Sequence, residues 1–523
     1  MRWTSRVCVL GVVVSCGGDG SSAESAAESD SSSTSPTTSG SATLTTTTTT
    51  DATTQVDSST SSSSDASSDD ASSETGTPSC DDLPAAITAE GLQAHLVAFD
   101  ELAIANGGNR AVGSPGYDAS LDYVRTQLEG AGYAVASHDF DVNVFSILGP
   151  SSLSWQGEQS YVEWADFQVA IYSAPGDVSA TARAVDVQLG LGNNSTSGCE
   201  AGDFAGFPAG SIAVIQRGTC YTFQKVLNAQ DAGAVGAIIF NQGNDDSRMG
   251  VWLSGLGAET YVTIPVLLTT YGIGAAMAQA PAGSVTAAMD VDVQVDLRPT
   301  SSLVAETASG DPNDVIMLGA HLDSVPAGPG INDNATGSAA LLEIARALEG
   351  CATTRRVRFG WWAAEEVGLV GSQHYVDGLD EAGRAAIAAY VNFDMLGSPN
   401  WIPYRHDGDG SAYGTMGPEG SAELESVLAE WFDMAGIGSV EAPFDGRSDY
   451  GPFVSAGIAA GGVATGAENL KSPQEAELFG GQANQPCDAC YHGMCDTIDN
   501  VDLDILTTMA GAGAHAVQHY ALP

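Results

Sequence analysis

Short, nearly continuous apolar segments alternate with helical patterns in the C-terminal half of the sequence. Three of these segments lie at residues 315–318, 357–362 and 388–393. Apolar runs of this length are typical of strands that are buried on both faces of a parallel sheet. After the first run, Leu341 and Leu348 belong to an apolar face at helical spacing. The pattern predicts an α/β fold with a mixed, mostly parallel central sheet flanked by helices.

The pattern changes between residues 145 and 290, where short strand-like runs contain many glycines and few charged side chains. The run 212–215 is one of these predicted strands. We therefore predict a main domain formed by residues 80–144 and 291–523, with a β-rich domain inserted at 145–290. A chain of 523 residues is long enough to build two packed cores.

The N-terminal part of the chain has a different composition. Two arginines precede the apolar run 7–14, and the sequence Val-Val-Ser-Cys ends at Cys16. This arrangement resembles a lipoprotein-type export signal over residues 1–16 with Cys16 as the acylated residue, and an ordinary secretory signal is the alternative. Residues 17–79 consist mostly of Ser, Thr, Asp, Ala and Gly, so a disordered tether is predicted.

The chain is strongly acidic. It has 65 Asp and Glu residues against 17 Lys and Arg residues, and its formal net charge is −48. Because such a charge is repelled by nucleic acids and by anionic membrane surfaces, neither is expected as a partner. Beyond the N-terminus, the sequence has no apolar run long enough to span a bilayer. We expect membrane contact only through a lipid on Cys16.

Side chains that can bind a metal follow each predicted strand of the main domain. His321 and Asp323 follow the first run, Glu365 and Glu366 follow the second, and Asp394 follows the third. Because open α/β sheets bind ligands at the carboxyl ends of their strands, these side chains are expected to lie close together. Imidazole nitrogen and carboxylate oxygen are the ligands of catalytic zinc. The pattern predicts a metal site at this edge of the sheet.

Two loops add further residues of the same kind. Asp333 follows a loop rich in Gly and Pro, and His492 lies in a Cys-Tyr-His sequence. In chain order, the motifs His-x-Asp, Asp-Asn, Glu-Glu, Asn-x-Asp-Met and Cys-Tyr-His resemble the co-catalytic di-zinc aminopeptidases, which are secreted bacterial enzymes of the leucyl type. The resemblance extends from about Leu92 to the C-terminus. Residues 199–241 resemble a protease-associated domain inserted in it.

This resemblance implies a phosphorylase/hydrolase-like zinc exopeptidase fold and two Zn²⁺ ions per chain. It also implies hydrolysis of peptides with a free N-terminus, with removal of large apolar first residues such as Leu. We expect a monomeric, exported protein that is either a cell-envelope lipoprotein or secreted. For the insert, a lid or substrate-recruiting module and a purely stabilising domain both stay open.

The resemblance assigns five metal ligands. Asp333 would bridge both zinc ions. His321 and Asp394 would complete the coordination of one ion, and Glu366 and His492 would complete that of the other. Two metal ions that share a carboxylate can bind both the attacking oxygen and the carbonyl oxygen of a substrate.

Four further residues receive roles from the same resemblance. Glu365 would be the general base and Tyr491 would stabilise the oxyanion. Asp323 would orient the ring of the first histidine ligand. Arg447, in an Arg-Ser-Asp sequence, would border the substrate, and the alternative is a structural ion pair with a nearby carboxylate.

Seven cysteines lie outside the export signal, and their use fits an oxidising compartment. The resemblance pairs Cys490 with Cys495, and the insert suggests a pair between Cys199 and Cys220. An odd set of three remains, of which one must be free: Cys80, Cys351 and Cys487. Zinc bound by the last three cysteines of the chain is the alternative.

Other functions compatible with this sequence stay open. A carboxypeptidase-like or dipeptidase-like enzyme, or a single-zinc relative of glutaminyl cyclase, would keep the fold and change the reaction. A non-catalytic surface protein that binds through its insert would keep only the fold. A complete set of ligands, base and phenol favours the aminopeptidase, because a binding role does not require all of them.

Overall fold

The computed structural model describes residues 80–155, 159–245, 248–257, 261–281 and 283–523. The predicted export signal, Cys16 and the tether lie outside these residues. Within the described ranges, no helix combines the length and the apolar composition that crossing a membrane requires.

Strands form two separate sheets. In chain order the strands are β1 (Ala134–Ile147), β2 (Ser152–Trp155), β3 (Gln159–Ser160), β4 (Phe167–Val169), β5 (Gly176–Val185), β6 (Ile212–Gln216), β7 (Gly236–Phe240), β8 (Val266–Thr269), β9 (Thr286–Val291), β10 (Val293–Glu306), β11 (Asp311–His321), β12 (Arg355–Trp362), β13 (Ile387–Phe393), β14 (Tyr404–His406), β15 (Val440–Ala442) and β16 (Ala460–Ala464).

The first sheet has the order β1-β10-β12-β11-β13-β16-β14-β15. At its centre β12, β11, β13 and β16 are parallel. The strands β1, β10 and β14 form antiparallel pairs towards its two edges. The predicted mixed, mostly parallel sheet is confirmed.

The second sheet has the order β3-β2-β9-β5-β6-β7-β8-β4 and lies within the predicted insert except for Val291, the last residue of β9. Its strands β5 to β8 are parallel neighbours. The two sheets are connected through β1 and β10, which pair antiparallel over their whole length from Ala134 and Glu306 to Ile147 and Val293. The exact limits of the insert, 145–290, stay a prediction.

Helices flank both sheets. They are α1 (Ala89–Ala105), α2 (Pro115–Gly130), α3 (Thr222–Asp231), α4 (Tyr271–Gln279), α5 (Thr336–Ala347), α6 (Val370–Gly378), α7 (Glu381–Ala386), α8 (Ser421–Ala435), α9 (Tyr450–Ser455), α10 (Pro473–Phe479) and α11 (Leu503–Ala521).

The largest core lies between the first sheet and its helices. Leu318, Phe359 and Val391, one from each of the three central strands, are fully buried in it. The predicted apolar face that contains Leu341 is on α5, which is buried along nearly all its length because α1 and α11 pack against it. This packing fixes the start of α5, and therefore the position of the loop before it.

Three disulfides are formed within the described residues. The structure contains both suggested pairs, Cys490–Cys495 and Cys199–Cys220, and a third between Cys80 and Cys351. The remaining Cys487 is buried and free. The alternative zinc site of the last three cysteines is therefore wrong, because two of its thiolates are consumed in one disulfide.

The disulfide between Cys80 and Cys351 joins positions 271 residues apart. Replacing both cysteines with serine should lower the free energy of unfolding by about 2–5 kcal/mol, since the cross-link restricts the unfolded chain. Urea denaturation under non-oxidising and non-reducing conditions would measure the loss. The Cys487→Ser variant is the control, because it replaces a buried cysteine with serine without removing a disulfide. Equal midpoints for the double variant and the wild type would contradict the prediction.

Candidate metal centre

Three neighbouring strands of the first sheet bring ligand-type side chains to one edge. β11 lies between β12 and β13, and all three run parallel. His321 is the last residue of β11, and Asp394 directly follows β13. Glu365 and Glu366 follow β12 after two alanines. The predicted strand ends therefore meet at one edge, as expected for an open α/β sheet.

The carboxylate of Asp333 lies between the two histidines. Its Oδ1 is 3.3 Å from Nε2 of His321, and its Oδ2 is 3.3 Å from Nε2 of His492. Each histidine also faces one further carboxylate: Nε2 of His321 is 3.4 Å from Asp394 Oδ1, and Nε2 of His492 is 3.0 Å from Glu366 Oε2. The structure thus brings together all five predicted ligands in two groups that share Asp333.

These distances fit zinc. Donors that lie about 2.0–2.1 Å from one ion in tetrahedral geometry are about 3.3 Å apart from each other. In addition, Oε1 of Glu366 is buried and has no hydrogen-bond partner, although buried carboxylate oxygens are normally paired. A cation between these donors would satisfy it. Ligand atoms of His321, Asp333 and Glu366 all lie within 4.8 Å of one another.

Asp323 has contacts that differ from the predicted ones. Nδ1 of His321 is 3.0 Å from the backbone carbonyl oxygen of Asp323, whereas the nearest carboxylate oxygen of Asp323 is 4.0 Å away. The carboxylate instead accepts hydrogen bonds from the backbone N–H groups of Glu365 and Glu366, at 3.1 and 3.3 Å. Asp323 therefore orients the histidine through its main chain and holds the two glutamates through its side chain.

The two glutamates point to different parts of the centre. Glu366 faces His492, whereas a carboxylate oxygen of Glu365 lies within 4.8 Å of ligand atoms of both His321 and Asp394. Burial raises the pKa of Glu365 well above its usual value; the charge on His321 opposes this shift, and neighbouring carboxylates, with Asp449 the strongest, add to it. A raised pKa suits a group that must accept a proton near neutral pH.

A loop after Cys490 carries His492 and is bound to the segment that carries Asp333. The backbone N–H groups of Asn332 and Asp333 donate to the carboxylate of Asp496, at 2.7 and 3.0 Å. Asp496 directly follows Cys495, so the disulfide and these bonds fix both ends of the short loop. Asp496 was not predicted from the sequence, although its position next to the suggested Cys490–Cys495 pair was a usable signal.

Tyr491 and Arg447 lie together beside the centre. The ring of Tyr491 stacks on that of His492 with centroids 3.8 Å apart, and burial raises the pKa of its hydroxyl well above the usual value. Nη2 of Arg447 is 3.4 Å from that hydroxyl oxygen and 2.9 Å from a carboxylate oxygen of Glu468. Arg447 thus forms an ion pair with a residue of another loop, and it also reaches the edge of the predicted active site.

Two other residues that support the centre had no role in the sequence analysis. The hydroxyl of Ser448 donates to Oδ2 of Asp394 at 2.5 Å, which leaves Oδ1 of that carboxylate facing the histidine. Arg110 is fully buried, and its guanidinium donates to the carbonyl oxygens of Leu322, Pro329 and Gly330. It thereby holds both ends of the loop that leads from β11 towards the bridging aspartate.

Comparison with known proteins agrees with this geometry. Residues 302–517 match the model of peptidase family M28, and residues 180–277 match that of the PA domain. An aminopeptidase of Pseudomonas aeruginosa is 47% identical over 84% of this chain and 82% of its own length. The "Probable lipoprotein aminopeptidase LpqL" of Mycobacterium tuberculosis is 38% identical over 83% of this chain and 85% of its own.

Among solved structures, the aminopeptidase from Aneurinibacillus sp. strain AM-1 superimposes with a TM-score of 0.69 at 25% sequence identity. The match covers 85% of this chain and 97% of that one. The relatives are matched over most of their length, and the side chains gathered at the sheet edge are those that zinc takes in catalytic sites. The chain therefore belongs to peptidase family M28 and is a zinc-dependent metalloexopeptidase.

Proposed function

We propose that this protein is an exported di-zinc aminopeptidase that removes single N-terminal residues from peptides. The observation that carries the proposal is the position of Asp333, whose two carboxylate oxygens each face a different histidine at 3.3 Å. Each histidine faces one more carboxylate, so the donors divide into two sets that share one residue. Such a division suits two ions that share a carboxylate.

Bound zinc would supply a water of lowered pKa and would polarise the scissile carbonyl. Within the chain, Glu365 accepts the proton of the attacking water and passes it to the leaving amine. The hydroxyl of Tyr491 donates a hydrogen bond to the developing oxyanion, since a phenol of raised pKa stays protonated. The free amine of the substrate meets carboxylates at this edge, among them Asp394, which faces His321, and Glu468, which pairs with Arg447.

Several finer features belong to the same proposal. A preference for large apolar first residues such as Leu follows from the motif resemblance. Export is supported by the three disulfides and by the lipobox-like sequence before Cys16, and one similar protein is named as a lipoprotein. A lipid on Cys16 would anchor an otherwise monomeric enzyme to the cell envelope.

The test is a substrate panel combined with metal analysis of the purified, zinc-loaded protein. We expect about two zinc ions per chain, cleavage of Leu-p-nitroanilide, no cleavage of N-acetylated peptides, and loss of activity with a chelator. Release of C-terminal residues from N-acetylated peptides would favour a carboxypeptidase. Cyclisation of N-terminal glutamine with a single zinc would favour a cyclase. Inertness after zinc loading would favour the surface-binding alternative.

A further inference from the structure

The turn that carries the two glutamates is closed by its own backbone. The N–H of Gly368 donates to the carbonyl of Glu365 at 2.8 Å, and the N–H of Val370 donates to that of Ala364 at 3.1 Å. Ala364 has a φ of 61°, in the left-handed region that is unfavourable for residues other than glycine. Such a conformation persists only where the surrounding structure holds it.

Val367 lies in the middle of this turn and packs in two directions. It contacts the large core between the first sheet and its helices, and it also contacts a core of the insert, whose members include Tyr172 and Ile239. Val367 is the residue that directly follows the two glutamates. The insert therefore reaches the catalytic turn itself and does not only cover the surface around it.

The same core of the insert is also joined to β1 of the first sheet. Tyr172 is buried, its hydroxyl donates to the backbone carbonyl of Asn143 on β1 at 2.9 Å, and its ring lies against Phe145.

We propose that the insert is a positioning element for catalysis and that Val367 is the residue through which it holds the Glu365–Glu366 turn. This inference rests on the proposed function, because it assumes that Glu365 is the base and Glu366 a ligand. A displacement of about 1 Å in a reacting group can cost about 100-fold in rate. Loosening the turn should therefore affect turnover and metal binding more than it affects folding.

The test compares three valine-to-alanine variants of the full chain. Val367→Ala removes the packing at the turn. Val262→Ala, in the insert, and Val135→Ala, in β1, each remove a half-buried valine that packs against only one of the two cores. For each variant, kcat and KM for Leu-p-nitroanilide, the zinc affinity in competition with a chromophoric chelator, and the thermal midpoint are measured. Val367→Ile is the conservative variant, and it tests whether another apolar side chain at this position keeps the turn in place.

We expect Val367→Ala to lower kcat by about 10–100-fold with little change in KM, and to weaken the binding of one zinc by about tenfold, because Glu366 shifts with the turn. The controls should keep wild-type kcat at a similar thermal midpoint, and Val367→Ile should recover most of the activity. If the wild type is active but Val367→Ala behaves like the controls, this inference fails alone. If the zinc-loaded wild type is inert, the proposed function fails with it.

Discussion

Replacing Glu365 with alanine or glutamine is expected to lower kcat by about 10²–10⁴-fold while the zinc content stays that of the wild type. A carboxylate oxygen of Glu365 lies within 4.8 Å of ligand atoms of His321 and Asp394. Asp333, Asp394 and Glu366 already supply the carboxylates that face the two histidines, so Glu365 is assigned as the base. Without it, no side chain at that position takes the proton of the attacking water. Steady-state kinetics on Leu-p-nitroanilide together with elemental analysis would measure both quantities.

Two variants separate loss of the base from other effects of a substitution. Glu381→Gln removes an exposed glutamate on α7 and should leave kcat unchanged. The glutamine variant keeps the size of the side chain, so a loss of rate without loss of structure is attributable to the missing base. Full activity of the Glu365→Gln variant would show that Glu365 is not the general base. Loss of one zinc from Glu365→Gln would instead make this residue a ligand.

Replacing Asp333 with alanine is expected to remove zinc binding and activity together. Its two oxygens belong to both donor groups, so a single substitution removes one ligand from each. Loss of a residue that only hydrogen-bonds to a metal ligand typically lowers the metal affinity by about 10–100-fold. Loss of the shared ligand itself should therefore lower the zinc affinity by more than about 100-fold. Titration with zinc against a chromophoric chelator, with activity measured on the same samples, would test this.

The matched control is Asp433→Ala, which removes an exposed carboxylate on α8. It should bind zinc as the wild type does. An Asp333→Ala protein that still binds one ion with unchanged affinity would show that the two donor groups do not share this residue. Circular dichroism of the variant should match that of the metal-free wild type, which separates loss of ligation from loss of the fold.

The central strands could be predicted because their signal is local. The apolar runs 315–318, 357–362 and 388–393 lie within β11, β12 and β13. Parallel strands buried on both faces need long apolar runs, and their carboxyl ends meet by topology. The clustering of His321 and Asp394 therefore follows from where the runs end.

The supporting contacts could not be predicted, since they depend on tertiary geometry. The sequence does not distinguish a carboxylate that orients a ring from one that binds two N–H groups, and Asp323 does the latter. The bond from Ser448 to Asp394 joins residues 54 positions apart. Likewise, the sequence did not show which two of Cys80, Cys351 and Cys487 would pair, because the two bonded cysteines are 271 residues apart.

The pairing of β1 with β10 has a consequence for how the two domains are joined. Ile147, the last residue of β1, and Val293, the first residue of β10, are paired partners, and the strands of the second sheet lie between them in the sequence. A two-residue turn of the Asn-Gly type between them would close the strands into a plain β-hairpin. Removing residues 148–292 in this way would leave the pairing of β1 with β10, and therefore the strand order of the first sheet, unchanged.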